Sequence, residues 1–191
     1  MVERAIAALQ AGEPVILPTD TVYGLCSSPD HAALLPLLKG QPGWRPVAVL
    51  FPDVARLVEL VPEARHAGFE ALLPGPYTVI VPDPAGRFAG AGGGTTVGVR
   101  VPEVGGPTGE ILDRLGAVAA TSANRHGGPD PRTLDDVPAE IRAACSVAID
   151  GGELPGVPST VVDLTGPEPT VVREGAVSAA ETLRRLRGGA E

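Results

Sequence analysis

The sequence predicts an α/β fold in which a mixed, twisted sheet is flanked by helices. Short apolar runs rich in Val, Ile and Leu recur along the chain, amphipathic stretches lie between them, and the two kinds do not strictly alternate. Hydrophobic residues make up 43% of the 191 residues and aromatics only 3%, so the core must be built from Ala, Val, Leu and Ile. No repeat and no linker composition interrupts the chain, and residues 1–191 are expected to form one domain.

The elements follow in order. Val2, Ala5, Ile6 and Leu9 recur at helical spacing, and Gly12 stops that helix. Residues 14–17 read as a strand. Asp30 caps a helix through Leu38, despite Pro36. Residues 47–51 read as a buried strand, and Asp53 caps a helix to about Leu60. Pro62, at a first-turn position, opens another to about Leu73, which Pro74-Gly75-Pro76 breaks. Residues 77–81 and 97–101 are strands, joined by a Gly-rich loop at 82–94 that is expected to be mobile. A helix at 108–115 and a strand at 117–121 lead into a polar loop at 122–134. Asp135 or Asp136 starts a helix to about Ala144, and strands follow at 146–149, 159–164 and 170–173. Ser178 and Glu181 form a capping-box pattern for the last helix. Its arginines at 184, 185 and 187 suit the negative end of the helix dipole.

Composition narrows the function. The formal net charge is −8, unlike the basic surface of a general nucleic-acid binder. No apolar run approaches the ~18 residues of a membrane span. The charged start Met1-Val2-Glu3-Arg4 does not resemble a signal peptide, so a cytoplasmic protein is expected. Cys26 and Cys145 form no disulfide framework and have no zinc-ligand spacing. Arginine supplies all but one of the 15 basic residues, and Lys39 is the sole lysine. A compact ammonium and a planar guanidinium are not interchangeable at a phosphate, which singles out Lys39.

The stretch Gly90–Gly94 matches neither phosphate-loop pattern. His31, His66 and His126 show no metal spacing, and no hydrolytic triad or carboxylate pair stands out. What remains is a set of strand-end loops that mix hydroxyl, amide and basic groups. They are Thr19-Asp20-Thr21, KGQPGWRP (39–46), TTVGVRVP (95–102), TSANRHGGP (121–129), PST (158–160) and VVREG (171–175). Each alone fits an ordinary turn. Thr121-Ser122-Ala123-Asn124 follows an apolar strand, where open α/β sheets bind ligands. Lys39, Arg45, Arg100 and Arg173 together would suit one polyanion.

Taken in order, these segments resemble the YrdC-type threonylcarbamoyl-AMP synthase family over about residues 5–177. The matching stretches are PTDTVYGL, KGQP…RP, LLPGPYTVIV, VGVRVP, TSANRHGGP and GVPSTVVDL…VVREG. The resemblance implies a twisted, open, largely parallel sheet with flanking helices around a large basic cavity. It implies condensation of L-threonine, bicarbonate and ATP into threonylcarbamoyl-adenylate and pyrophosphate, for tRNA modification. Mg²⁺ would be held mainly by the ATP phosphates, with no metal site of the chain's own. Tyr23 would back the amino-acid pocket. Thr21, Arg100, Ala120 and Ser159 would bind threonine. Lys39, Arg45, Thr96, Ser122, Asn124 and Arg173 would bind ATP, with Lys39, Ser122 and Asn124 nearest the chemistry. Partner proteins would take the product to tRNA, and contact with tRNA or double-stranded RNA is also implied.

Two positions depart from the family pattern. Gln41 stands where arginine is usual, a loss worth about 1–3 kcal/mol of charged contact. His126 stands where serine is frequent. A non-catalytic nucleotide- or RNA-binding member of the same fold is therefore the alternative. A carbamoyl-transfer domain of the hydrogenase-maturation type ranks last, because its accompanying acylphosphatase and zinc-finger segments are missing from the sequence.

Overall fold

In the computed structural model, residues 1–43, 45–66 and 68–188 are described. Trp44, within the KGQPGWRP stretch, lies outside them. Among the described residues there are nine strands, β1 (Val15–Pro18), β2 (Tyr23–Ser27), β3 (Ala48–Leu50), β4 (Tyr77–Pro82), β5 (Thr96–Arg100), β6 (Val118–Ser122), β7 (Val147–Ala148), β8 (Thr160–Asp163) and β9 (Thr170–Arg173). They form one sheet in the order β7-β1-β2-β6-β3-β5-β4-β8-β9. The sheet is mixed and open, as expected. β1·β7, β3·β5 and β4·β8 are parallel and the other neighbours antiparallel, so the parallel share is smaller than expected. Short returns between β1 and β2 and between β8 and β9 make antiparallel neighbours, whereas parallel pairing needs a longer crossover.

Alternation along the strands sends successive side chains to opposite faces. On one face Val49, Val79, Val99 and Ala119 join a core with Leu35, Leu57 and Val58 from helices α2 (Leu34–Leu38) and α3 (Val54–Leu60). On the other, helices α1 (Val2–Gln10) and α4 (Gly106–Leu115) cover β1, β6 and the end of β3 through Ile6, Leu9, Ile111 and Leu112. They do not reach the middle of β4 and β5. There Thr78, Ile80, Thr96 and Gly98 are only half-buried, while the alternating Val79, Val81, Val97 and Val99 are fully buried. That uncovered part of the sheet face is where a site can form.

Several elements differ from expectation. β2 was not expected; Thr19 turns the chain so that Tyr23–Ser27 fits between β1 and β6. The expected helix over 62–73 is two 3₁₀ turns, Pro62–His66 and Phe69–Ala71, separated by Gly68 at φ 68°. A left-handed residue cannot continue a right-handed helix. Pro138 divides the helix expected after Asp135. A 3₁₀ turn at Leu134–Asp136, capped reciprocally by Thr133, precedes helix α5 (Ala139–Ala144). Asp53 caps α3 as expected, its carboxylate accepting from Arg56 N at 2.7 Å. Helix α6 (Ala179–Gly188) starts behind Ser178, whose Oγ accepts from Glu181 N at 3.3 Å.

The 82–94 loop is anchored rather than free. Buried Asp83 accepts from Arg87 N at 3.1 Å and Phe88 N at 2.8 Å. Phe88 packs edge-on to Phe51 with ring centroids 5.7 Å apart. Among the described residues no helix is long and apolar enough to cross a membrane.

Candidate active site

The uncovered sheet face forms the floor of a cavity of about 320 Å³. A row runs across the strands through Ala120 of β6, Ala48 of β3, Gly98 of β5 and Ile80 of β4, each in register with the next. All four line the cavity. Small side chains at the centre of this row leave room above the sheet. The walls come from the strand-end loops: Thr19 and Thr21 between β1 and β2, Thr121 and Ser122 at the end of β6, Pro158 and Ser159 before β8, and Arg173 from β9.

Lys39 follows α2 and reaches under the end of β6. Its Nζ donates to Ser122 O at 2.6 Å, Asn124 Oδ1 at 2.7 Å and Ser122 Oγ at 3.0 Å. Asn124 is held in turn, its amide donating to Gly128 O at 2.7 Å. Burial pushes the Lys39 ammonium down to about 8; Asp130 opposes the shift and Arg173 adds to it. The repulsion means that Lys39 and Arg173 share one electrostatic neighbourhood. Arg173 donates to Ser159 O at 2.7 Å. Gly175 permits this arrangement, since a Cβ there would stand 2.2 Å from Pro158 O.

Arg100 lines the same cavity from β5. It is almost fully buried, donates to Asp20 Oδ1 at 2.6 Å and to Thr21 Oγ1 at 3.2 Å, and its Nε has no partner among the described residues. Burial lowers its pKa, with Asp20 opposing and Arg173 adding to the shift, so Arg173 lies within reach of Arg100 as well as of Lys39; burial raises the pKa of Asp20 against the attraction of Arg100. A guanidinium stays charged under such shifts. Across the cavity Ser159 Oγ lies 2.8 Å from Thr78 Oγ1, a second hydroxyl pair facing the space.

The structure therefore brings Thr21, Arg100, Ala120, Ser159, Thr96, Ser122 and Arg173 onto one cavity, with Lys39 and Asn124 directly behind Ser122. Arg45 is exposed on its loop and lies outside the lining, beside Pro46, which belongs to it. Gln41 is half-buried and His126 exposed; His126 N donates to Lys39 O at 3.0 Å, tying the 125–128 loop to the lysine. No carboxylate lines the cavity among the described residues.

Sequence reasoning missed Thr78 and the bare floor at Ala48 and Gly98; Thr121, named with its strand-end loop but given no role, lines the cavity. Alternation in TVIV and TVGV puts Thr78 on one face with Ile80 and Thr96 on one face with Gly98, but it does not bring the two strands together. Tyr23 does not back the pocket. It is fully buried, and its hydroxyl accepts from Gly151 N at 2.9 Å and reaches Gly152 O at 2.8 Å and Asp150 Oδ1 at 3.0 Å. Its neighbour Gly24 faces the cavity instead.

A family model described as telomere recombination (Sua5/YciO/YrdC) matches residues 7–175. A Mycobacterium tuberculosis protein whose name provisionally makes it a threonylcarbamoyl-AMP synthase is 34% identical, over 91% of this chain and 83% of its own. The threonylcarbamoyl-AMP synthase of Pyrococcus abyssi is 33% identical over 93% of this chain, which spans only 54% of that relative. Among solved structures, P. abyssi Sua5 complexed with L-threonine matches with a TM-score of 0.81 and 29% identity, over 96% of this chain and 56% of that one. Escherichia coli YciO, at 23% identity, shares the fold with a TM-score of 0.73, over 93% of this chain and 90% of its own. With a model spanning most of its length and relatives at this identity, the chain belongs to the Sua5/YciO/YrdC family.

Proposed function

We propose that this chain is an L-threonylcarbamoyladenylate synthase, joining L-threonine, bicarbonate and ATP into threonylcarbamoyl-AMP and pyrophosphate. The observation that carries the reading is one cavity, with no carboxylate in its described lining, that Arg100 and Arg173 line and that Lys39 underlies behind Ser122, three cations drawn to one place. Two anionic reactants need such charge neutralisation to approach each other.

Arg100, the guanidinium on the cavity beside Thr21, takes the amino-acid carboxylate. Thr21, Ser159 and Thr78 offer hydroxyls to the rest of the amino acid, and Ala120 shapes the floor. Lys39, Ser122, Asn124, Thr96 and Arg173 hold the nucleotide's phosphates, with Arg45 reaching them from the rim. The threonine nitrogen first joins bicarbonate as a carbamate, with loss of water. A carbamate oxygen then attacks the α-phosphorus, the bond from that phosphorus to the bridging oxygen breaks, and pyrophosphate leaves. Lys39 and Arg173 stabilise the charge on the departing phosphates. Among the described residues no carboxylate lines the cavity, so Mg²⁺ would be held by the ATP phosphates and water, where it would neutralise phosphate charge.

The labile adenylate is passed to tRNA-modification partner proteins. Direct contact with tRNA or double-stranded RNA is confined to local basic groups, given the net charge of −8. The test is mass spectrometry of the product from ATP, L-threonine and ¹³C-bicarbonate. A labelled threonylcarbamoyl-adenylate is expected. Bound ATP with no labelled adenylate overturns the proposal and favours a binding protein.

A further inference from the structure

Resting on the proposed reaction, we infer that Gly98, with Ala48 beside it, is a positioning residue whose missing side chain leaves the space in which carbamate and α-phosphate meet. The geometry is that of one strand. Thr96, Gly98 and Arg100 of β5 share the cavity face. Residues two apart on a strand lie roughly 6.6 Å apart, so Gly98 stands midway between the group assigned to the nucleotide and the group assigned to the amino-acid carboxylate. The carbamate is carried on the amino nitrogen, a few bonds from that carboxylate, and must extend over Gly98 to reach the nucleotide.

The neighbouring strands keep the same spot low. Gly98 is in register with Ala48 on one side and Ile80 on the other. The glycine is not required by the backbone, because its φ lies outside the left-handed region. Nor is it required by collision with the main chain: a Cβ at 98 would meet Thr78 Cγ2 at 3.2 Å and come no nearer than 4.0 Å to Ala48 Cα. Glycine in a strand interior weakens it and commonly marks a close approach by a ligand. A second observation points to a ligand here. Arg100, about nine-tenths buried and two residues along the same face, brings a guanidinium to the lining of the same cavity.

The reaction joins the carbamate oxygen to the α-phosphorus as the bond to the pyrophosphate oxygen breaks. A methyl group at 98 would hold the two reactants apart; of the groups assigned to either one it would touch only the methyl of Thr78, not the hydroxyl. Displacement of reacting atoms by about 1 Å can cost on the order of 10²-fold in rate.

The test compares wild type, Gly98→Ala, Thr78→Ser and Gly98→Ala/Thr78→Ser. Three quantities are read: Kd for L-threonine alone, Kd for a non-hydrolysable ATP analogue alone, and kcat for threonine-dependent pyrophosphate release. For Gly98→Ala, both Kd values are expected within about threefold of wild type while kcat falls about 100-fold. Thr78→Ser removes the methyl group that a Cβ at 98 would press against and keeps the hydroxyl. It is expected not to restore the rate.

Three results overturn the inference: an unchanged kcat, restoration by Thr78→Ser, or loss of either ligand's binding alone. If Gly98→Ala fails to fold, Ala48→Val narrows the same floor from β3 and must show the same split; an unchanged kcat there overturns it equally. Wild type without threonine-dependent release refutes the proposed reaction, whereas an active wild type matched by Gly98→Ala refutes only the role of Gly98.

Discussion

Lys39 donates to Asn124 Oδ1 at 2.7 Å, so the chain's sole lysine is tethered to the loop that follows β6, 85 residues further along the chain. The same amide is fixed through Gly128 O, and the 125–128 loop returns to Lys39 O through His126 N. Helix end, strand end and loop are thus locked around one ammonium. Asn124→Ala should loosen it while leaving Lys39 charged. The expected effect is about 10- to 100-fold weaker binding of an ATP analogue, from loss of about 1–3 kcal/mol of charged hydrogen bonding, with threonine affinity unchanged. Calorimetric titration of each ligand separately checks it.

The pH dependence has a definite sign. Burial holds the Lys39 ammonium down at about 8, so the free protein loses this charge as pH rises through that value. Affinity for the ATP analogue should fall above about pH 8. In Lys39→Ala it should be weak throughout, with no such inflection. Stability runs the other way: between about 8 and the ordinary lysine value the unfolded chain holds more protons, so this group's contribution to stability rises with pH across that window. Thermal melts and titrations between pH 7 and about 10 separate the two.

Arg100→Ala should raise the threonine requirement by on the order of 10²-fold and leave the nucleotide analogue's Kd alone. It also strands Asp20, whose side chain is 9% exposed, without its partner. Breaking such a pair costs about 3–5 kcal/mol of stability. Asp20→Asn/Arg100→Ala should recover much of the melting temperature and none of the threonine affinity. Weakened ATP with untouched threonine would contradict the division of the cavity.

Tyr23→Phe tests the loop that carries Ser159. The hydroxyl is bonded to residues 150–152, and the same loop is tied back by Gly156 N donating to Thr21 O at 2.9 Å. Removing the hydroxyl takes the partner from Gly151 N and Gly152 O on an exposed loop, at a cost of about 0.5–1.5 kcal/mol per hydrogen bond. A lower melting temperature is expected, together with a raised KM for threonine, little change in KM for ATP and faster amide exchange over residues 150–159.

The sequence made the walls of the cavity legible and its floor illegible. Loops mixing hydroxyl, amide and basic residues stood out without coordinates, and the resemblance to the family singled out Thr21, Lys39, Ser122, Asn124 and Arg173 within them. Thr19-Asp20-Thr21 proves to be both a turn and a pocket edge. Thr19 Oγ1 donates to Val22 O at 2.7 Å and closes the turn, while Thr21 Oγ1 accepts from Arg100. Tyr23 was misread because β2 was not seen as a strand; once it is one, alternation sends Tyr23 to the core and Gly24 to the cavity. Ala48 and Gly98 carry no functional group. Only cross-strand register shows that they lie side by side, and register is a long-range property. The divided helices failed for a local reason: Gly68 and Pro138 outweighed the apolar spacing around them.

The central claim is that one cavity seats an amino acid and a nucleotide together for reaction. Pyrophosphate release from ATP, measured with and without L-threonine and bicarbonate, tests it most directly. Release that requires both and disappears in Lys39→Ala is the predicted result. Release that ignores threonine, or survives the loss of Lys39, would contradict it.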